Sequence, residues 1–206
     1  GAFPQLDMGE VLNAEQGWYN CSQLTSFPAM NSAKCTRFDA AWMNCSQLSS
    51  FGQVDTQSCT NFSNAWRNCS SLTSFPDLNL SAGTNFNSAW RDCTGLTSWP
   101  GSDPYEMAAG IYFYDCWNGC TNLVNFPANV FYASGAHRFN NAWKDCPNLS
   151  PQSIENILVS IDSIMSGIPG NVGLGGTTTP ESAWTATALS AKASLVTKGW
   201  TIDSNP

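Results

Sequence analysis

Charge is what this sequence has least of. Only 11% of its 206 residues are Asp, Glu, Lys or Arg, against roughly 25% in ordinary soluble domains. Eight are basic and scattered singly, and fifteen are acidic, for a net charge of −7. A polyanion is held by clustered Lys and Arg, so nucleic acid is excluded as a partner. There is one histidine, His137, followed by Arg138, with no nucleophile motif and no partner at a meaningful spacing. The acidic residues are spread so that no glycosidase pair stands out. The stretch 173–176 has glycines but lacks the lysine and spacing of a phosphate loop. No Cys/His set has zinc spacing. No apolar run approaches the ~20 residues that cross a bilayer, and no stretch reads as a signal peptide. These absences predict a chain that is not an enzyme, takes no cofactor or metal, and does not insert into a membrane.

What the sequence does have is a repeat. Trp18, Trp42, Trp66 and Trp90 are 24 residues apart, and Trp117 and Trp143 follow at 27 and 26. Three residues after each comes a cysteine (Cys21, Cys45, Cys69, Cys93, Cys120, Cys146), and three further on a leucine, Leu24 to Leu149. Then comes an aromatic, Phe27, Phe51, Phe75, Trp99 or Phe126, usually followed by proline. Four residues before the tryptophan stands Phe38, Phe62, Phe86, Phe113 or Phe139, with Ala14 in the first copy. One short unit cannot bury its own apolar face, but stacked units can.

The spacing predicts local structure as well. Phe62, Ala65, Trp66 and Cys69 fall at i, i+3, i+4 and i+7, one stripe of a short helix. Leu-Thr-Ser-Phe-Pro is β-prone and stops at proline, which predicts a short strand. The expected architecture is an α/β repeat solenoid of about six coils, each a short helix plus a short parallel strand. Residues 1–17 would be an N-terminal cap, 18–149 the solenoid and 150–206 an α/β, largely helical C-terminal cap. In that cap, Ser150-Pro151 marks a helix start, and Ile154, Ile157, Leu158, Ile161, Ile164 and Met165 form its apolar face. A short strand is expected near 171–174, a second helix after Thr179-Pro180-Glu181, and a final strand at 200–202. The longer fourth and fifth intervals place inserted loops near 101–109 and 128–135.

The unit Ala-Trp-x-x-Cys-x-x-Leu-Thr-Ser-Phe-Pro, as at 65–76, resembles the BspA-type leucine-rich repeat, roughly Ala-Phe-x-x-Cys-x-x-Leu-x-x-Ile. The likeness covers about residues 17–149, with Trp for the usual Phe and Phe-Pro in place of an Ile strand. It implies a leucine-rich-repeat-like fold and a bacterial surface or bacteriophage tail-type adhesin. The ending AKASLVTKGWTI at 191–202 is similar to C-terminal segments of repeat proteins from bacteriophages and from gut and marine bacteria.

Nine cysteines invite a disulfide framework, yet the repeat places six at Trp+3, where a thiol acts as a small hydrophobe. Cys116 takes the place of Ala41, Ala65, Ala89 and Ala142. Cys35 and Cys59 remain, each seven residues before its tryptophan. A disulfide joins them if that position stacks near the ~4.8 Å strand spacing, and not on a wider helical side. The phase of the tryptophans with Phe and Cys makes them core rather than a sugar-stacking platform. Exposed aromatics are expected instead in the inserts, at Tyr105, Tyr112, Phe131 and Tyr132.

Two polar rows recur. Asn20, Asn44, Asn68, Asp92 and Asp145 precede the cysteines, and their expected role is capping backbone groups between units. The other row, Thr25, Ser26, Ser49, Ser50, Thr73, Ser74, Thr97, Ser98 and Asn125, lies beside the strand. Its side chains are either solvated strand residues or a flat hydrogen-bonding surface. Taken together, these features predict a non-enzymatic recognition module on a virion or on an extracellular or cell surface, with a cell-surface glycan or protein as receptor. The alternative is a structural virion or appendage subunit contacting its own assembly.

Overall fold

Turn geometry, not helix, is what the repeated unit folds into. The computed structural model describes residues 7–100, 107–131, 135–164, 168–176 and 179–204. Their regular elements are β1 (Ser26–Phe27), β2 (Ser50–Phe51), β3 (Arg138–Phe139), α1 (Pro151–Asp162), β4 (Asn171–Gly173), α2 (Ala186–Thr197) and β5 (Thr201–Asp203), with one 3₁₀ turn at Glu181–Ala183. β1 and β2 form one parallel sheet, and β3, β4 and β5 form another in that order. The expected α/β solenoid of six helix-plus-strand coils is therefore corrected. Among the described residues there are two α-helices, both beyond residue 150, and two small parallel sheets.

The reason lies in two residues per unit with left-handed backbone. Ala40 and Asn44, Asn64 and Asn68, and Ser88 and Asp92 have φ between 52° and 65°, which no α-helix accommodates. The hydrogen bonds follow. Phe38, Ala40, Trp42 and Asn44 donate their N–H groups to the carbonyls of Asn61, Ser63, Ala65 and Arg67 in the next unit, at 2.8–3.0 Å. Between them, Ala41, Met43 and Cys45 donate three residues back, to Phe38, Ala40 and Trp42, at 3.0–3.3 Å. Alternate donors thus leave the unit, where a helix would keep all of them four residues back. The i, i+3, i+4, i+7 spacing survives because two successive turns also bring those side chains to one side.

Units paired in this way lie over one another in parallel register. Bridges run Asn13 to Arg37, Asn61, Asn85, Tyr112 and Arg138, and β3 carries the same column into β4 and β5. Register puts like side chains in columns. The indoles of Trp18, Trp42, Trp66, Trp90, Trp117 and Trp143 stack with centroids 5.1–5.8 Å apart and planes within 10°. The column Phe38, Phe62, Phe86, Phe113, Phe139 stacks at 5.1–6.4 Å. Perpendicular to the indoles stands the column that begins Phe27, Phe51, Phe75, as in the 4.9 Å contact of Trp42 with Phe51. The interior indole N–H groups, from Trp42 to Trp143, have no hydrogen-bond acceptor. Stacked and edge-on aromatic contacts offset that cost.

Beyond the last unit, α1 begins at Ser150, whose hydroxyl accepts from the Ser153 N–H with Pro151 at the first helical position. It buries Ile154, Ile157, Leu158 and Ile161. Two serines share that face for a reason. Ser153 and Ser160 are buried, and their hydroxyls accept the Phe126 and Phe131 N–H groups at 2.9 and 3.0 Å. α2 starts at Thr185, which caps Ala188, and packs on α1 through Ala188, Ala191 and Leu195. Met165 lies outside the described residues.

Trp66→Ala should lower unfolding free energy by ~3–5 kcal/mol, as for other buried aromatic truncations. Ser74→Ala should stay within ~0.5 kcal/mol. Denaturant titration of both variants checks the pair. The left-handed position gives a second comparison. Asn68→Gly should cost about 1 kcal/mol for its lost side-chain hydrogen bond, and Asn68→Val a further ~1–2 kcal/mol of backbone strain.

Candidate functional site

The hydroxyl row is the one sequence-predicted feature that the fold assembles into a surface. Ser26 pairs in register with Ser50, and Ser98 with Asn125. Thr25, Ser49, Ser50, Thr73, Ser74, Thr97 and Asn125 are exposed, while Ser26 and Ser98 are half-buried. The row divides by what each hydroxyl already does. Ser49 Oγ donates to the Thr25 carbonyl at 3.1 Å and Thr97 Oγ1 to the Thr73 carbonyl at 3.3 Å, so these groups are engaged in joining units. The side chains of Thr25, Ser26, Ser50, Thr73, Ser74, Ser98 and Asn125 hold no hydrogen bond to another described residue, Thr25 and Thr73 being engaged through their backbone carbonyls alone. They are the part of the row left to meet a ligand.

The insert aromatics fare differently. Tyr105 and Tyr132 lie outside the described residues. Tyr112 is 41% exposed and sits in the bridge column between Asn85 and Arg138. Phe131 is corrected from exposed to core: it is fully buried, 4.8 Å from Phe139 and 5.1 Å from Phe113. Its insert folds inward because α1 supplies Ser160 to satisfy the backbone there.

The asparagine row is a ladder of its own. Asn44 Nδ2 donates to Asn20 Oδ1 at 2.7 Å, and Asn68 Nδ2 to Asn44 Oδ1 at 2.6 Å. These amides pair with one another, not with backbone groups, and all occupy the second left-handed position. In the fifth unit that position is Gly119, φ 75°, where a side chain would run into the Asp92 carboxylate. Asn, Asp or Gly at every Trp+2 was the available signal for a left-handed backbone.

The cysteines are free, and the disulfide that the spacing left open between Cys35 and Cys59 is not formed. Each of those thiols donates instead to a carbonyl two residues on, Arg37 at 3.2 Å and Asn61 at 3.4 Å. The Trp+3 thiols do a second job besides filling space. Cys45, Cys69, Cys93, Cys120 and Cys146 donate to the carbonyls of Trp18, Trp42, Trp66, Trp90 and Trp117, at 3.0–3.2 Å. An aliphatic residue of similar size offers no donor for that carbonyl. Cys21 belongs to the first unit and is exposed.

Burial pushes the thiols of Cys45, Cys59, Cys93 and Cys146 from 9.0 up to about 12. These groups favour the folded chain below the unfolded thiol value, and that contribution is lost as pH rises through the folded one. The melting temperature should therefore fall as pH rises from about 9 toward about 12. Cys59→Ala should fall less steeply over the same interval in thermal melts. At about pH 8 a maleimide should label the native chain at Cys21 alone and reach the other cysteines only after unfolding, as read by intact mass.

No protein-family model, curated protein or solved structure matches this chain.

Proposed function

We propose that this chain is a non-enzymatic recognition module that binds a cell-surface receptor, glycan or protein, from a virion or a bacterial surface. The observation that carries this reading is the uncommitted part of the hydroxyl row. Ser26, Ser50, Ser74, Ser98 and Asn125 are small hydrogen-bonding groups fixed at unit spacing beside a rigid aromatic core. Short hydroxyls and an amide lose little entropy on contact and both donate and accept. Binding would come from many neutral hydrogen bonds rather than from charge, which suits the low charge of the chain.

One feature favours the second reading, a structural subunit that contacts its own assembly. α2 leaves Leu189 and Val196 exposed, at 41% and 53%, on a flank of the stripe that buries Ala188, Ala191 and Leu195. Exposed apolar side chains grouped on one flank of a helix are a common site of burial against a partner.

Replacing Ser50 and Ser74 together by Arg separates the readings. On the recognition reading the double variant keeps its melting temperature and loses glycan-array or whole-cell binding by about tenfold or more. Undiminished binding rejects the hydroxyl row as the site. Binding only to a co-purifying particle protein, abolished by Leu189→Glu, supports the structural reading. Reproducible turnover of a polysaccharide overturns both.

A further inference from the structure

Where the bridge column Asn13, Arg37, Asn61, Asn85, Tyr112, Arg138 passes from β3 into β4, an open pocket of about 250 Å³ lies between β3 and the segment leading into β4. His137, Arg138, Asn140, Ile168, Pro169 and Asn171 line it. Gly170 makes its narrow wall possible. A side chain there would overlap the His137 carbonyl and meet the Trp200 ring at 2.7 Å, so only glycine lets the segment come this close.

Three features of this pocket point the same way. First, Arg138 forms no ion pair with any described carboxylate, in a chain where acids outnumber bases by fifteen to eight. Lys34, Arg37, Arg91, Lys192 and Lys198 have such partners, while Arg67 and Lys144, like Arg138, have none among the described residues. No acidic side chain is among the described residues that line the pocket. Arg138 is instead held by Tyr114, whose hydroxyl accepts from Nη1 at 2.8 Å, and by ladder pairing on both sides, with Tyr112 and Asn171. Most of its donor fork is left for a planar, two-oxygen acceptor. Second, His137 Nδ1 lies 2.9 Å from the Gly135 carbonyl. A carbonyl only accepts, so Nδ1 is the donor in this contact, and in the tautomer with its proton there Nε2 is the ring's acceptor for a hydroxyl. Third, Ile168 and Pro169 supply an apolar wall, and Asn140 and Asn171 two amides.

The geometry points to a binding site for a hydroxylated carboxylate, a sugar acid, in this pocket. The Arg138 guanidinium takes the carboxylate, His137 Nε2 accepts from a ring hydroxyl, and the C–H face of the ring rests on Ile168 and Pro169. The site is separate from the hydroxyl row and does not depend on that row being a receptor face.

The test is a titration of the whole chain with D-glucuronate, D-glucose and inorganic sulfate, followed by the NMR signals of His137, the sole histidine. Glucuronate should shift these signals saturably, and glucose and sulfate should not. Arg138→Gln should weaken glucuronate binding by about tenfold or more while keeping the wild-type melting temperature. Tyr114→Phe, which frees the guanidinium from its hydroxyl partner, should weaken binding more mildly and serves as the readout should Arg138→Gln fail to fold. No shift with glucuronate overturns the assignment, as do equal shifts with glucose or sulfate. Unchanged glucuronate affinity in both variants overturns it too.

Discussion

The hydrogen bond that leaves each unit for the next is the constraint on which the rest of the structure depends. A left-handed residue at Trp−2 and another at Trp+2 turn the chain so that every second N–H points out of the unit. That row of donors is satisfied only by another unit in register. Once register is set, identical side chains must sit about 5 Å apart. Flat aromatic rings suit that distance, since it lies within the range where ring pairs attract. The tryptophan column therefore follows from the backbone arrangement and then stabilises it by excluding water from the same bonds. The thiol column is tied in likewise, since each Trp carbonyl is reached by a cysteine of the following unit.

Much of the interior was legible in the sequence, and the reason is phase. Trp, Cys, Leu and Phe recur at fixed offsets, and residues that recur in this way in a stacked chain are the ones that touch. From Trp42 to Trp143 each member of the indole column is fully buried. What the sequence concealed was the backbone between those side chains. Two consecutive turns place residues i, i+3, i+4 and i+7 together much as a helix does, so the apolar stripe of 62–69 carries no information about which of the two is present. The discriminating signal was polar. Asn20, Asn44, Asn68, Asp92, Gly119 and Asp145 are the residue types that tolerate positive φ, and a helix interior disfavours them. Given the weight of that row, the helix expectation for the unit fails.

The candidate sites were legible only in part. Spacing placed the hydroxyl row together correctly as a surface feature, because strand-like pairing of Ser26 with Ser50 follows from the repeat. It did not distinguish hydroxyls that join units from those that face solvent. That distinction depends on whether a carbonyl of the previous unit lies within reach, as it does for Ser49 and Thr97. Phe131 shows the opposite failure. Lying outside the repeat phase, it had no assigned neighbours, and its burial depends on α1, which is contributed by residues 20 and more further along the chain. The pocket beside Arg138 likewise joins the end of the repeat to the segment before β4, a contact no local pattern encodes.

Register also changes what the shortage of charge means. As a compositional trait it means that Ser, Thr, Asn and Gly fill the polar positions. In a chain stacked in register, a charge repeated at one position would face its own copy about 5 Å away, a repulsion of order 1 kcal/mol even in water. Neutral Asn, Ser and Thr escape this, and Asn turns the same proximity into a hydrogen bond. Where ionic residues do share a position in neighbouring units, Glu10 and Lys34 carry opposite signs and bond at 2.7 Å. Two like-charged pairs are exceptions, and each has opposite charge beside it: Glu15 and Asp39 both pair with Arg37, at 3.2 and 2.9 Å, and Arg91, which follows Arg67, is flanked by Asp92 and Asp115 at 3.4 and 3.5 Å. The low charge is therefore first a condition for stacking. Arg138 meets that condition without a carboxylate, since it stands in the ladder between Tyr112 and Asn171 with its guanidinium on the Tyr114 hydroxyl of the unit before.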